Sequence, residues 1–287
     1  MNEKTAQFSL RGLFQPRDLT EGTPWKTILA FALPIIISYL LQQVYTISDA
    51  AIVGQTLTAG EVAGVNDTTS IIFIFLQFAF GVSAGFCVVT AAEVGAHHEA
   101  GVRRSLAAQI LLSAALTVLL TGLALLLLKP MLAWINVTPE SPEVYRAAHT
   151  YCAIIFAGIG AQLFYNFICS FLRSMGDSVT PLLFLLFSTI LNIGLDLLFI
   201  VSFHWGVAGA AIATVAAQLI STVGCFLYAF VKYPKLRLHR EDWQVTLGDM
   251  RRHLGQGIPL GLQFSVLAIG IIAVSYTHLT LPTILRV

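Results

Sequence analysis

Long apolar runs separated by short polar ones set the frame of this chain. Six stretches, roughly residues 27–53, 66–94, 105–128, 147–172, 179–203 and 206–232, are apolar over enough length to cross a bilayer as helices, a crossing that takes about 20 residues. A seventh begins near Ile258 and runs only 17 residues, to Val274, before Ser275, Tyr276, Thr277 and His278 interrupt it, about 25 Å of helix. The pattern predicts an all-α, polytopic membrane helix bundle with six complete spans and a truncated seventh. One long polar insert, 233–252, is too short for a domain and too long for a tight helix connection. Its Trp243, Val245, Leu247 and Met250 make part of it amphipathic, so it reads as a linker lying on the membrane surface.

Composition supports that reading. Of 287 residues, 56% are hydrophobic and 11% charged, with a mean hydropathy of +0.79, which points away from a soluble domain with a large core. The net charge of +1 names no partner and gives no reason to expect nucleic-acid binding. The placement of the cations is more informative. Lys4, Arg11, Arg17 and Lys26 precede the first span, Arg103 and Arg104 follow the second, and Arg173 follows the fourth. Six more Lys and Arg follow the sixth, bringing that side to thirteen, against only Lys129 and Arg146 on the other. The bias predicts a cytoplasmic N-terminus and a cytoplasmic 233–252 segment. The first 25 residues carry no cleavable signal pattern.

Against this apolar background, two aspartates stand out. Asp49 lies near the end of the first span and Asp196 inside the fifth, with Asn192 four residues before it on the same helix face. A carboxylate in hydrocarbon costs several kcal/mol unless it is protonated, paired or ion-bound, so such residues point to a proton or cation site facing an internal cavity. Asn166 on the fourth span and Thr214 on the sixth add hard oxygen ligands. Together these groups suit Na⁺ or a protonated, hydrogen-bonded carboxyl pair. The small residues Gly206, Gly209, Ala210, Ala211 and Ala213 predict close packing of the sixth span on a neighbour. Pro34, fifteen residues before Asp49, predicts a kink or hinge in the first span. Cys87, Cys152, Cys169 and Cys225 all lie in apolar runs without a Cys-x-x-Cys, and read as small buried side chains. His97, His98 and Glu99 read as a solvated turn, and no Gly-rich phosphate loop is present.

The seventh run, HLGQGIPLGLQFSVLAIGIIAV, aligns with TILAFALPIIISYLLQQVYTIS through Pro259 and Pro34. This faint repeat, with a period of about six helices, is the kind from which many transporters are built. The stretch 274–283, VSYTHLTLPT, resembles a translated sequencing adaptor. The expected organisation is therefore a cytoplasmic segment 1–25, a six-helix lobe 26–232, a cytoplasmic linker 233–252, the start of a second lobe at 253–273, and an artefactual tail 274–287.

Pro34, Gln42, Tyr45 and Asp49, the string SFLRSMGDSVTPLL after the fourth span, NIGLD on the fifth and WGVAGAAIAT on the sixth resemble the multidrug and toxic compound extrusion (MATE) family over residues 22–273. The resemblance implies a twelve-helix antiporter of two six-helix lobes, without a cofactor, in the bacterial inner membrane. It implies export of cationic amphiphilic compounds in exchange for Na⁺ or H⁺, with membrane lipid around it and a missing C-terminal lobe as partner. It implies a cation site at Asp49, Asn192, Asp196 and Thr214, and a drug cavity near Gln42, Tyr45 and Asn166. Half of such a transporter is expected to be inactive alone. Two alternatives are weaker. A lipid-linked oligosaccharide flippase of the same superfamily would have a more basic cavity. An intramembrane aspartyl protease would pair Tyr-Asp with Gly-x-Gly-Asp, where this chain has Ser48-Asp49 and Gly194-Leu195-Asp196.

Overall fold

The structure is a computed structural model that describes residues 23–284, with side chains through Val274. Most of the expected N-terminal segment 1–25 and residues 285–287 of the expected tail lie outside the described residues, and 275–284 are described as backbone only.

Eight α-helices follow one another without a strand among the described residues. α1 is Pro24–Thr56, α2 Ala59–Gly95, α3 Glu99–Trp134, α4 Pro142–Ala157, α5 Ile159–Ser174, α6 Val179–Asp196, α7 Gly206–Lys232 and α8 Leu247–Ile284. Proline opens α1 and α4 at the first turn, where its missing N–H costs nothing. α2 starts seven residues before the apolar run because Thr58 and Glu61 form a capping box: Glu61 N donates to Thr58 Oγ1 at 3.2 Å and Thr58 N to Glu61 Oε2 at 3.1 Å. Thr246 and Asp249 do the same for α8, at 3.2 and 3.0 Å. That helix therefore begins at Leu247, ahead of its apolar part.

Two spans depart from straight helices. The fourth is α4 and α5 together, bent by 45° at Gly158, where the side chain of Val215 on α7 occupies the space a Cβ would need. The fifth is α6 continued by a single π-helical turn, Leu197–Ser202, directly after Asp196. Such turns disturb the regular hydrogen-bond ladder and recur at functional sites.

α2 is the central element, packed on α3, α4, α5 and most extensively α8, while α7 packs on α4, α5 and α6. Phe86, Phe156, Phe167 and Phe171 fill the interior between them. The predicted small face of α7 is buried at Ala210, Ala211 and Ala213. α1 leans mainly on α6 and buries only Pro34, Ser38 and Val53. Outward faces stay apolar: Leu126 on α3 is 81% exposed and Val231 on α7 78%. Backbone polar groups are satisfied within helices while apolar side chains face outward, as a lipid solvent demands. The chain is an integral membrane protein.

The 233–246 segment is docked on this bundle. Leu236 is buried with Leu106, Phe167 and Phe171. Arg103 pairs with Asp242 at 3.2 Å and Lys235 with Glu99 at 2.6 Å. Glu93 takes Arg252 at 3.0 Å and His98 at 2.8 Å. Contact between α2 and α8 rests on two facing small-residue pairs, Gly81 and Gly85 against Gly257 and Gly261. A Cβ on Gly85 would lie 2.6 Å from the Gly257 Cα, and one on Gly81 2.7 Å from the Leu260 carbonyl oxygen. Gly85→Val is expected to force the helices apart at a cost of about 1–3 kcal/mol, read as an earlier thermal-aggregation midpoint. Gly122→Ala, with open space around it, should leave that midpoint unchanged.

Candidate functional site

α1, α2, α4, α5, α6 and α7 enclose a cavity of about 300 Å³. On α1, Gln42, Tyr45 and Asp49 follow at helical spacing and all line it, because this face of α1 turns away from lipid. Thr214 enters from α7 and Asn166 from α5. Asn192 and Asp196 on α6 are fully buried behind the wall. The Asp196 carboxyl nonetheless meets that of Asp49 closely enough for the two to interact directly. Tyr45 lies against Thr214 and within electrostatic reach of both carboxyls. Asp49, Asp196, Tyr45 and Thr214 thus gather at one point, and Asn192 sits one turn of α6 away. Pro34 lies outside the lining residues, in the interior of α1, where the Ser38 hydroxyl donates to its carbonyl at 2.8 Å.

Several donors and acceptors here have no protein hydrogen-bond partner: Asp49 Oδ1, both Asp196 oxygens, both Asn192 side-chain atoms and Thr214 Oγ1. Buried polar atoms are normally paired. An unpaired cluster of oxygens around two carboxyls suits a small cation, a proton or water. Among the described residues no Lys, Arg or His lines the cavity, so none of them offsets the acidic pair.

Sequence reasoning missed part of the wall. Tyr151 on α4 stands close enough to Asp49, Tyr45 and Asp196 to feel their charge. Asn66, Thr69, Gln162, Ser188 and Gln218 also line the cavity. Ser188 was within reach: it lies four residues before Asn192 and eight before Asp196, on one helix face. Asn66 and Thr69 gave no such signal, since isolated polar residues in a span usually bond their own helix. Thr69 does so, donating to the Val65 carbonyl at 3.4 Å.

At the opposite end of α7, Asp177 between α5 and α6 gathers a second polar cluster. Lys232 Nζ donates to Asp177 at 2.8 Å, Tyr233 OH at 2.7 Å, and Thr180 through its backbone N–H at 3.0 Å and hydroxyl at 2.7 Å. Burial works against the charge on Asp177, but these four donors outweigh it and hold the carboxyl below its ordinary range.

Comparison with known proteins agrees with this architecture. Residues 34–198 match the family model described as MatE. The chain is 31% identical over 269 residues to a probable multidrug resistance protein, YpnP, of Bacillus subtilis, covering 90% of this chain and 57% of that protein. It is 29% identical to the probable multidrug resistance protein YoeA of the same organism, over 80% of this chain and 48% of that one. The chain spans about half the length of the curated relatives it matches. Among solved structures, a multidrug resistance MATE family transporter of the MOP superfamily in an outward-facing conformation superposes with a TM-score of 0.79 at 24% identity, over 88% of this chain and 55% of that one. A MOP superfamily transporter from Pyrococcus furiosus, described as having a binding pocket of reverse polarity, superposes at 0.77 and 23% identity, over 88% of this chain and 56% of that one.

Proposed function

The chain belongs to the MatE family, and on that premise we propose that it is the first lobe of a secondary antiporter that exports cationic, amphiphilic compounds in exchange for Na⁺ or H⁺. The observation that carries the reading is the meeting of the Asp49 and Asp196 carboxyls beside a cavity without a basic residue. Two carboxyls in one enclosed site repel when both are charged, and a proton or metal cation relieves the repulsion. Asp49, Asn192, Asp196 and Thr214 then hold the coupling cation. Gln42, Tyr45 and Asn166 face an organic cation that competes for the same negative charge. Loading one species disfavours the other, which is the linkage antiport needs. The absence of basic residues from the wall favours this reading over a flippase for anionic lipid-linked sugars. The charge bias supports an orientation with the basic end of the bundle, with Arg173, Lys232 and the 233–246 segment, on the cytoplasmic side, and the bacterial relatives support a place in an inner membrane. α8 is the first helix of a second lobe, and the half-transporter alone moves nothing.

The test is efflux of a fluorescent lipophilic cation from vesicles carrying the full-length parent, under an imposed pH gradient or an imposed Na⁺ gradient. Acceleration by one of them identifies the coupling ion, and acceleration by neither defeats the antiport reading. Pro34 supplies a second expectation. Proline removes one helical hydrogen bond, so α1 bends at lower cost there than elsewhere. Pro34→Ala is expected to slow efflux several-fold while leaving its dependence on the gradient intact. An unchanged rate would make Pro34 a static feature of α1.

A further inference from the structure

Of the thirteen buried side-chain nitrogen and oxygen atoms without a protein partner among the described residues, eleven lie on α1, α5, α6 and α7, and only Ser113 and Ser265 fall elsewhere. They are ordered in depth. On α6, Asp196, Asn192 and Ser188 follow at successive turns of one face, spanning about 12 Å. On α7, Thr214, Gln218 and Ser221 descend alongside over about 10 Å. On α5, Tyr165 stands on the cavity wall, and Arg173 lies two helical turns further towards the basic end, with its Nε unpartnered. Cys169 sits between Tyr165 and Arg173 on the same face of α5. It interacts with Tyr165 and with Cys225 of α7, and the Arg173 charge reaches both Cys169 and Tyr165.

A helix interface that was simply packed would pair these groups or replace them with apolar ones, because each buried unpaired donor or acceptor is costly. So many in one wedge, left dry, would outweigh the net stability of a typical domain. Their spacing, one polar group per helical turn on each of two adjacent helices, matches what bound water requires, namely two to four polar partners each. The candidate cation site alone does not account for them. Tyr165, Ser188 and Gln218 still line the cavity, but Ser221 and Arg173 lie beyond its lining, towards the end of the bundle opposite the π-helical turn.

We propose that the wedge between α5, α6 and α7 holds a file of bound waters running from the Asp49–Asp196 pair to the basic end of the bundle, closed there by the Arg173 guanidinium, and that the coupling cation exchanges with that side along it. The inference rests on the antiport reading for its purpose but not for its existence. A cationic side chain at the narrow end of a polar route is an electrostatic barrier to cations, so the route stays closed until Arg173 is displaced.

Water in the file is testable without transport. Millisecond hydroxyl-radical footprinting of this chain in lipid nanodiscs is expected to oxidise Cys169 and Cys225 several-fold faster than Cys152, which is enclosed by Leu128, Leu132 and Phe156. Ser221→Leu should suppress oxidation of Cys169 and Cys225 while leaving Tyr151 and Tyr165 on the cavity wall unchanged. Protection of Cys169 and Cys225 equal to that of Cys152 would overturn the file. In proteoliposomes of the full-length parent, Arg173→Gln is expected to raise the passive leak of H⁺ or of Na⁺ several-fold, read with a pH dye and a Na⁺ dye, with the footprint of Cys152 confirming the fold. An unchanged leak of both ions would overturn the role of Arg173. A wet file in a parent that shows no gradient-driven efflux would sink the antiport reading and spare the file, and a dry file in a coupled transporter would do the reverse.

Discussion

In the full-length parent, Asp49→Asn is expected to reduce gradient-driven efflux to the background of empty vesicles while the protein still folds and inserts. The substitution keeps the size and most of the hydrogen bonding of the side chain, and removes the charge that binds a proton or cation. Among the described residues Asp49 is the only carboxyl lining the cavity, and its partner Asp196 reaches the site from behind the wall. Asp196→Asn should have a comparable effect, and the double variant should lose little more, since residues acting as one unit are strongly non-additive. Efflux by Asp49→Asn at the normal rate, still responsive to the gradient, would reduce Asp49 to a structural polar residue.

Asp177→Ala is expected to be the most destabilising single change outside the membrane-spanning helices. It removes the shared acceptor of the Lys232 ammonium, the Tyr233 hydroxyl and two Thr180 donors at once, leaving Lys232 its 3.2 Å contact with the Thr180 hydroxyl. The Asp177 side chain is 2% exposed and that of Lys232 20%, so the loss should sit near the lower end of the range for broken buried pairs, about 3 kcal/mol. Asp177→Leu combined with Lys232→Met should recover part of it, because no uncompensated charge remains. The sign with pH follows from the direction of the shift. A carboxyl held below its ordinary range contributes stability that is fully present above the unfolded value, about 3.9, and is lost as pH falls through the folded one. The gap in thermal midpoint between wild type and Asp177→Ala should therefore be constant at neutral pH and close only below about pH 4. A gap that closed between pH 8 and 6 would assign the effect to another group.

Much of this architecture is legible in the sequence because a bilayer allows few solutions: an apolar run of sufficient length must be a helix. Asp49, Asn192 and Asp196 were legible for the same reason, as ionisable and amide groups that hydrocarbon does not tolerate idly. Helix ends lie outside the apolar pattern and are carried instead by capping chemistry. Thr58 and Glu61 spell an S/T-x-x-E signal that moves the start of α2 to Ala59, and Thr246 with Asp249 moves that of α8 to Leu247. The bend at Gly158 was not legible, since the side chain that fills the space beside this glycine, Val215, belongs to another helix. The π-helical turn after Asp196 was equally hidden, because LLFIVS is as apolar as the helix it interrupts. Tyr151 joins the site through the long-range packing of α4 against α2, α3 and α7.

The central claim is that the Asp49–Asp196 pair holds the coupling cation and surrenders it to a cationic substrate. The most direct measurement is the release of protons or of radioactive Na⁺ when such a substrate is titrated into the purified full-length parent in weak buffer. The account predicts release from the wild type on substrate binding and none from the Asp49→Asn/Asp196→Asn variant. Equal release from both proteins would contradict it.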